Sequence, residues 1–350
     1  MCRASRGPVE RRTLDVMTTN TNKLSTSRQL GKNGPTVTSP ALGGMSLSGA
    51  YGAVADEEGV RVIHAYLDAG GTLIDTGDFY GAGHNEMLIA RALRERDRDD
   101  VVLSVKFGAL LTPVGMPAGF DARPEAVKSS LTYSLQRLGT DHVDIYRPAR
   151  LDPQVPIEET VGAVQELVEA GYVRHIGLSE VSADTIRRAA AVAPISDLQI
   201  EYSLLSRGIE TNGILDTCRE LGIGITAYSV LGRGLIGGSG ALGGSLAHMP
   251  RFQGDNLDHN RALLTTLEEI ASAKGVNLAQ LAIAWVAARG EHIVPVIGSR
   301  RVNQVESMAG ANEVTLDHGD LARIDAAVPV GAARGDRYPT QFMAQLDSEL

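Results

Sequence analysis

The chain of 350 residues is predicted to be an α/β protein. Its class is a closed (β/α)₈ TIM barrel, with a short N-terminal hairpin and a long loop after strand seven. Three observations predict it. Short apolar segments alternate with amphipathic segments eight times. Eight such units over roughly 290 residues match the length of a closed barrel. After its first strand the chain also lacks the GxGxxG turn that opens a doubly wound sheet: the only early candidate, Gly43-Gly44 followed by Gly49, has the wrong spacing.

In chain order, residues 1–26 carry arginines but no apolar stretch and read as a disordered extension. Arg28-Gln29-Leu30 and Thr36-Val37-Thr38 flank Gly31-Lys32-Asn33-Gly34, a hairpin pattern. Barrel strands follow at Ala41–Gly43, Thr72–Asp75, Val101–Phe107, Val143–Arg147, Val173–Leu178, Leu198–Tyr202, Ile223–Tyr228 and Ile293–Ile297. Between them, Val127, Leu131, Leu135 and Leu138 line one helical face, as do Val161, Val164 and Val168. Gly70, Gly139, Gly171 and Gly222 suit helix C-caps. Residues 229–258 hold eight glycines and far exceed the usual connection of about 2–6 residues. They read as a lid or as an insertion. The barrel domain spans 27–335, and 336–350 read as a C-terminal tail.

Composition narrows the function. The formal net charge is −9 and basic residues are scattered, which argues against nucleic acid. There is no apolar run of about 18 residues, so no membrane span is expected. Cys2 and Cys218 are the only cysteines. That excludes a disulfide framework and fits a reducing, cytoplasmic setting.

Chemistry is expected at the C-terminal ends of the strands. Asp75 ends strand two and Tyr80 follows it. Lys106 lies inside the apolar strand Val101–Phe107 and needs a carboxylate partner if buried. Asp75 can supply it. A lysine beside a tyrosine favours phenolate, and such a tyrosine can exchange a proton with a carbonyl oxygen. The alternative is a purely structural ion pair with Tyr80 on the rim. The loop Gly108–Arg123, rich in Leu, Pro, Met and Gly, suggests an apolar mouth.

Several segments resemble the aldo-keto reductase family. Leu73-Ile74-Asp75-Thr76-Gly77-Asp78-Phe79-Tyr80-Gly81 with Gly83-His84-Asn85-Glu86 is similar to its signature. So are Val105–Gly108, Ile176–Glu180, Gln199–Ser203, Ala227–Ser229 and Pro295–Arg301. The resemblance runs in order from about Arg28 to about Ala327, and is nearest the perakine-reductase- and pyridoxal-reductase-like bacterial branch. It implies NADP(H) and a small carbonyl or alcohol substrate. It implies Asp75, Tyr80 and Lys106 as catalytic. Ser179 and Gln199 would hold the nicotinamide carboxamide, and Tyr228, with Ser229 beside it, would stack on the ring. Gly44, Met45 and Ser46 would line the site. Leu231, Gly232 and Gly234 would meet the pyrophosphate. Ser299, Arg300, Arg301 and Gln304 would meet the adenosine 2′-phosphate. Two arginines at a helix start also make physical sense as a phosphate site.

The pattern breaks at position 149. The family places a histidine there, and this chain has Ala149 between matching flanks. Arg147 lies two residues earlier on the same strand face. It is therefore a candidate for the oxyanion corner or for a substrate anion, or else it pairs with a buried carboxylate. Ser307-Met308 replaces the family's Glu-Asn near the adenine. The expected activity is NADPH-dependent reduction of aldehydes or ketones. The alternative is an NADP(H)-binding redox sensor or subunit with weak turnover.

Overall fold

The structure is a computed structural model that describes residues 23–237, 246 and 248–349. The expected extension therefore lies outside the described residues from 1 to 22, as does the loop after strand seven at 238–245 and 247. At its near edge the chain is already packed. Leu24 is buried, and its amide donates to Ala69 O at 2.8 Å.

A hairpin opens the fold, β1 (Ser27–Gln29) against β2 (Thr36–Thr38). Leu30 and Val37 drop from it into the N-terminal end of the barrel, beside Ala41, Leu73, Ile145, Val294 and Val296. Gly31 makes this plug possible. Its φ is +67°, and a Cβ there would stand 2.3 Å from Ser196 O.

The first units are β3 (Ala41–Gly43), α1 (Asp56–Asp68), β4 (Leu73–Gly77) and α2 (His84–Leu93). Next come β5 (Val102–Phe107) and a surface hairpin, β6 (Ala109–Leu111) with β7 (Pro117–Phe120). Then follow α3 (Pro124–Leu138), β8 (Val143–Pro148), α4 (Ile157–Glu169), β9 (Val173–Ser179), α5 (Ala183–Val192), β10 (Ile195–Glu201) and α6 (Ile214–Leu221). The chain ends with β11 (Gly224–Tyr228), α7 (Gly254–Ala273), α8 (Leu278–Ala287), β12 (Ile293–Gly298), α9 (Val302–Gly310), α10 (His318–Ala327) and α11 (Thr340–Met343).

Strands β3, β4, β5, β8, β9, β10, β11 and β12 pair in parallel and close into one barrel. All eight expected strands are present, shifted by at most a few residues. The predicted faces are the buried ones: Val127, Leu131 and Leu138 on α3, Val161 and Val164 on α4. Gly139 and Gly222 cap their helices in the left-handed conformation. The surface hairpin β6–β7 falls where only an apolar loop was expected. No single helix among the described residues is long and apolar enough to cross a membrane.

The C-terminal segment does not trail away. Arg337, Leu346 and Ser348 are buried, and Asn212 Nδ2 holds Ser348 O at 3.1 Å. The segment lies across the C-terminal mouth of the barrel.

Candidate active site

Two adjacent strands, β4 and β5, build the centre of the site, and β10 reaches it from across the barrel. Asp75 faces inward from β4, and Lys106 ends the inward row of β5. Lys106 Nζ donates to Asp75 Oδ2 at 2.6 Å, with both side chains nearly fully buried. Asp75 Oδ1 accepts two more bonds, from Gln199 Nε2 at 2.8 Å and Ser104 Oγ at 3.1 Å. Burial pulls Lys106 down to about 8, against the opposing pull of Asp75.

Tyr80 sits on the turn after β4. Its ring lies with its centroid 5.0 Å from Lys106 Nζ, and Phe79 packs edge-on against it. Burial and the Asp75 carboxylate hold the phenol well above its usual range, and Arg150 is the leading opposing influence. In this resting site burial and Asp75 outweigh the expected pull of Lys106 toward phenolate, so Tyr80 rests as the neutral phenol.

Gly44 lies beside this centre because only glycine fits. A Cβ there would stand 2.4 Å from Asn85 Oδ1, while Asn85 Nδ2 donates to Gly44 O at 2.8 Å. Met45 is half exposed at the mouth. Ser46 Oγ donates to Ser299 O at 3.1 Å, which ties the first strand's turn to the last strand's end.

Arg147 needs a correction. It is fully buried and does not face the mouth. Its Nη1 bonds Asp197 Oδ2 at 2.8 Å and Thr226 Oγ1 at 3.1 Å, and its Nη2 bonds Ser104 Oγ at 2.9 Å. The carboxylate on β10 holds it, as in the buried-pair alternative read from the sequence, and leaves no exposed surface on Arg147 for a substrate. The next arginine, Arg150, reaches the mouth instead. Its Nη1 donates to Ala149 O at 2.6 Å and lies 3.4 Å from Ser179 Oγ. Gln199 Nε2 is likewise engaged, by Asp75.

Above these groups lies a lattice that the sequence did not disclose. Tyr228 Oη donates to Glu180 Oε1 at 2.7 Å and lies 3.3 Å from Tyr338 Oη. Arg337 grips Glu180 through both terminal nitrogens, at 3.0 and 2.8 Å. Arg233 pairs with Glu201 at 3.0 Å and stacks 4.1 Å from the Tyr338 ring centroid. Burial would raise both glutamates, but the arginines outweigh it and hold them below the carboxylate range. Arg337 and Tyr338 were missed because their partners are distant in sequence.

A cleft of about 360 Å³ lies beside this mouth. One wall is Leu231, Leu235, Ile236 and Gly237, from the loop that also carries Ser229, Gly232 and Gly234. The other holds Ser299, Gln304, Ser307 and Met308, with Asn277 and Glu268 beside them. Ser299 Oγ is buried without a partner, and Arg301 is exposed next to it. A polar orphan flanked by arginines at the start of α9 fits a nucleotide phosphate. One expectation changes here. Gln304 Oε1 already accepts the Arg300 and Arg301 amides, at 2.7 and 3.2 Å, so those two N–H groups are not free for a phosphate. Asn277, whose Nδ2 donates to Ser307 Oγ at 3.1 Å, supplies a polar group at the end where the family's Glu-Asn is missing.

A larger cleft of about 570 Å³ lies at the opposite end of the barrel, lined by Arg28, Lys32, Arg219 and His292 among others. The acid–base groups are at the other mouth, where function is placed in this fold. Among the described residues no cluster of His, Cys, Asp and Glu could hold a metal ion.

The fold is a closed (β/α)₈ barrel with Asp75, Tyr80 and Lys106 gathered at the C-terminal end of its strands. Residues 41–329 match the Aldo/keto reductase family, and the chain belongs to it. It is 43% identical over 317 residues to the probable aldo-keto reductase 1 of Glycine max, spanning 89% of this chain and 91% of that one. A glycerol dehydrogenase from Gluconobacter oxydans superposes with a TM-score of 0.79 at 26% identity, over 89% of this chain and 97% of that one. An aldo-keto reductase from Bacillus halodurans, solved in its holo form, superposes with a TM-score of 0.73 at 26% identity, over 87% and 97%. The protein is thus an enzyme of a family that reduces small carbonyl compounds with a nicotinamide cofactor.

Proposed function

We propose that this enzyme reduces an aldehyde or ketone to the alcohol with NADPH, and runs the reverse reaction when alcohol and NADP⁺ are in excess. The observation that carries the reading is Tyr80, a buried neutral phenol over a Lys106–Asp75 pair. When bound, the cofactor supplies hydride to the carbonyl carbon. Tyr80 supplies the proton to the oxygen. Lys106 stands ready to offset the phenolate left behind, and Asp75 keeps Lys106 in place. The turn at Gly44, Met45 and Ser46, with Ser179, Gln199, Tyr228 and Ser229, bounds the nicotinamide end. Leu231, Gly232 and Gly234 face the pyrophosphate.

NADPH rather than NADH is favoured by Arg300 and Arg301 beside the unpartnered Ser299 hydroxyl. The buried, free Cys218 suits a cytoplasmic location. The sensor reading rests on Ala149, which has no donor for the carbonyl oxygen.

The test is NADPH oxidation by the purified protein against a panel of aldehydes and ketones, with Tyr80→Phe in parallel. Turnover that disappears in Tyr80→Phe is expected. Tight NADPH binding without any turnover would replace this reading with the sensor.

A further inference from the structure

The loss of the family histidine leaves a question that the structure answers with a different residue. Ala149 is buried at the end of β8, and its amide donates to Phe107 O at 2.8 Å. That bond fixes the corner beside Lys106. Arg150 follows directly and turns its guanidinium back over the strand ends, onto Ala149 O and toward Ser179 Oγ.

Two features set Arg150 apart. Arg147, Arg233 and Arg337 all hold a carboxylate at 2.8–3.0 Å. Among the described residues no carboxylate comes within ion-pair distance of Arg150, and both of its hydrogen bonds use Nη1. The fork is half-buried and uncommitted on its other nitrogens. Its field also reaches the reacting groups. It is the leading cation acting to lower Tyr80, and Lys106 and Tyr228 feel it too. A partly desolvated guanidinium with spare donors beside a proton-donating phenol is arranged to meet an oxygen that gains negative charge.

We propose that Arg150 is a catalytic residue that donates a hydrogen bond to the substrate's carbonyl oxygen, in place of a histidine at position 149. This rests on the reductase reading above. As the carbonyl carbon accepts hydride, the C=O π pair moves onto oxygen. That oxygen takes the proton of Tyr80, which is left as phenolate and regains a proton from water. Arg150 makes and breaks no covalent bond; it steadies the charge on oxygen while it lasts.

The arginine differs from a histidine in one measurable way. Its charge does not titrate in the working range, whereas an imidazole changes charge near pH 6.5. The experiment compares the full chain with Arg150→Met, Arg150→Lys, Tyr80→Phe and the double variant Ala149→His/Arg150→Met, on the best carbonyl substrate of the panel. Arg150→Met is expected to lower kcat by about 10²–10³-fold, with NADPH affinity by fluorescence titration unchanged. The double variant is expected to recover about tenfold or more of that loss, and its kcat–pH profile to gain a limb near 6.5 that the parent lacks.

Turnover of Arg150→Met within about threefold of the parent would overturn the proposal. So would a loss of NADPH affinity that accounts for the loss of rate, which would make Arg150 a cofactor holder. If Arg150→Met does not fold, Arg150→Lys decides. It keeps the charge but loses the fork, and unchanged kcat there overturns the proposal while a drop of about tenfold or more supports it. Turnover lost in Tyr80→Phe but kept in Arg150→Met sinks this proposal alone. Absence of any Tyr80-dependent turnover in the parent sinks the reductase reading and this proposal together.

Discussion

Arg147 and Asp75 meet on one hydroxyl. Ser104 Oγ accepts from Arg147 Nη2 at 2.9 Å and donates to Asp75 Oδ1 at 3.1 Å. A buried polar chain therefore runs from Asp197 through Arg147 and Ser104 to Asp75 and Lys106. Its lower half holds the barrel interior together, and its upper half holds the acid–base centre. Asp75 has three donors around it and cannot swing away from Lys106, so the position of Lys106 under Tyr80 is fixed before any substrate arrives.

This chain sets the expected outcome for Arg147→Leu. The variant leaves Asp197 charged and buried with its main partner gone. Removing one member of a buried pair costs about 3–5 kcal/mol. Urea denaturation should show that loss, and KM for the best substrate should stay within about twofold of the parent, because Arg147 touches none of the mouth. Arg147→Met combined with Asp197→Leu should recover much of the stability. A large change in KM for Arg147→Leu, with stability intact, would return Arg147 to the substrate site.

Lys106 should place a limb on the pH profile of reduction. It holds its proton only up to about 8. Below that value its charge helps Tyr80 give up a proton; above it, the emerging phenolate loses that support. Reductive kcat should fall above about pH 8. Lys106→Met should be about 10²-fold or more slower and lack the limb. A limb that persists unchanged in Lys106→Met would assign it to another group.

Asp78 should make the fold less stable as pH rises. Burial lifts its carboxyl from 3.8 to about 7, and one of its oxygens has no partner. Between those two values the folded state holds a proton that the unfolded state has released. Stability therefore falls as pH climbs through that window and then levels off. Asp78→Asn cannot ionise. It should match the parent near pH 4 and exceed it near pH 8, by about 2–4 kcal/mol. Denaturant midpoints at the two pH values test this. Parallel pH curves for parent and variant would show that Asp78 ionises freely in the fold.

Much of this was legible in the sequence because it was local. Each barrel strand is a short apolar run, and the polar residues at its C-terminal end face the mouth. That rule picked out Asp75, Ser179 and Tyr228, while Lys106 stood out as a charge inside an apolar strand. The rule failed at Arg147 and Arg150 for a physical reason. Alternation along β8 says that Arg147 faces inward, and it does, but alternation does not tell how deep a long side chain stops. Asp197, on a strand two away in the sheet, decides that. Past Pro148 the strand ends, alternation no longer applies, and Arg150 is free to turn back. Arg337 and Tyr338 were hidden in another way. Residues 336–350 have neither period to read, and Arg337 finds Glu180 at a separation of 157 residues.

Cofactor preference provides the last expected outcome. The start of α9 carries Arg300, which reaches Ala53 O at 3.2 Å, and the exposed Arg301. Both amides there are capped by Gln304, so a 2′-phosphate would be held mainly by the two guanidinium groups and by the unpartnered Ser299 hydroxyl. A charge-assisted hydrogen bond contributes about 1.5–3 kcal/mol, and exposure on this rim puts these bonds at the low end. Arg300→Ala with Arg301→Ala should then weaken NADPH binding by about tenfold to a hundredfold and NADH binding by less than about threefold. The same double variant should flatten the dependence of NADPH affinity on salt, because the screened charges are gone. Fluorescence titration of both cofactors at two ionic strengths measures all of this at once. Equal losses for NADPH and NADH would mean that the arginines grip the part the two cofactors share. The choice between them would then have to come from elsewhere along the cleft, with Ser307 and Asn277 the first residues to change.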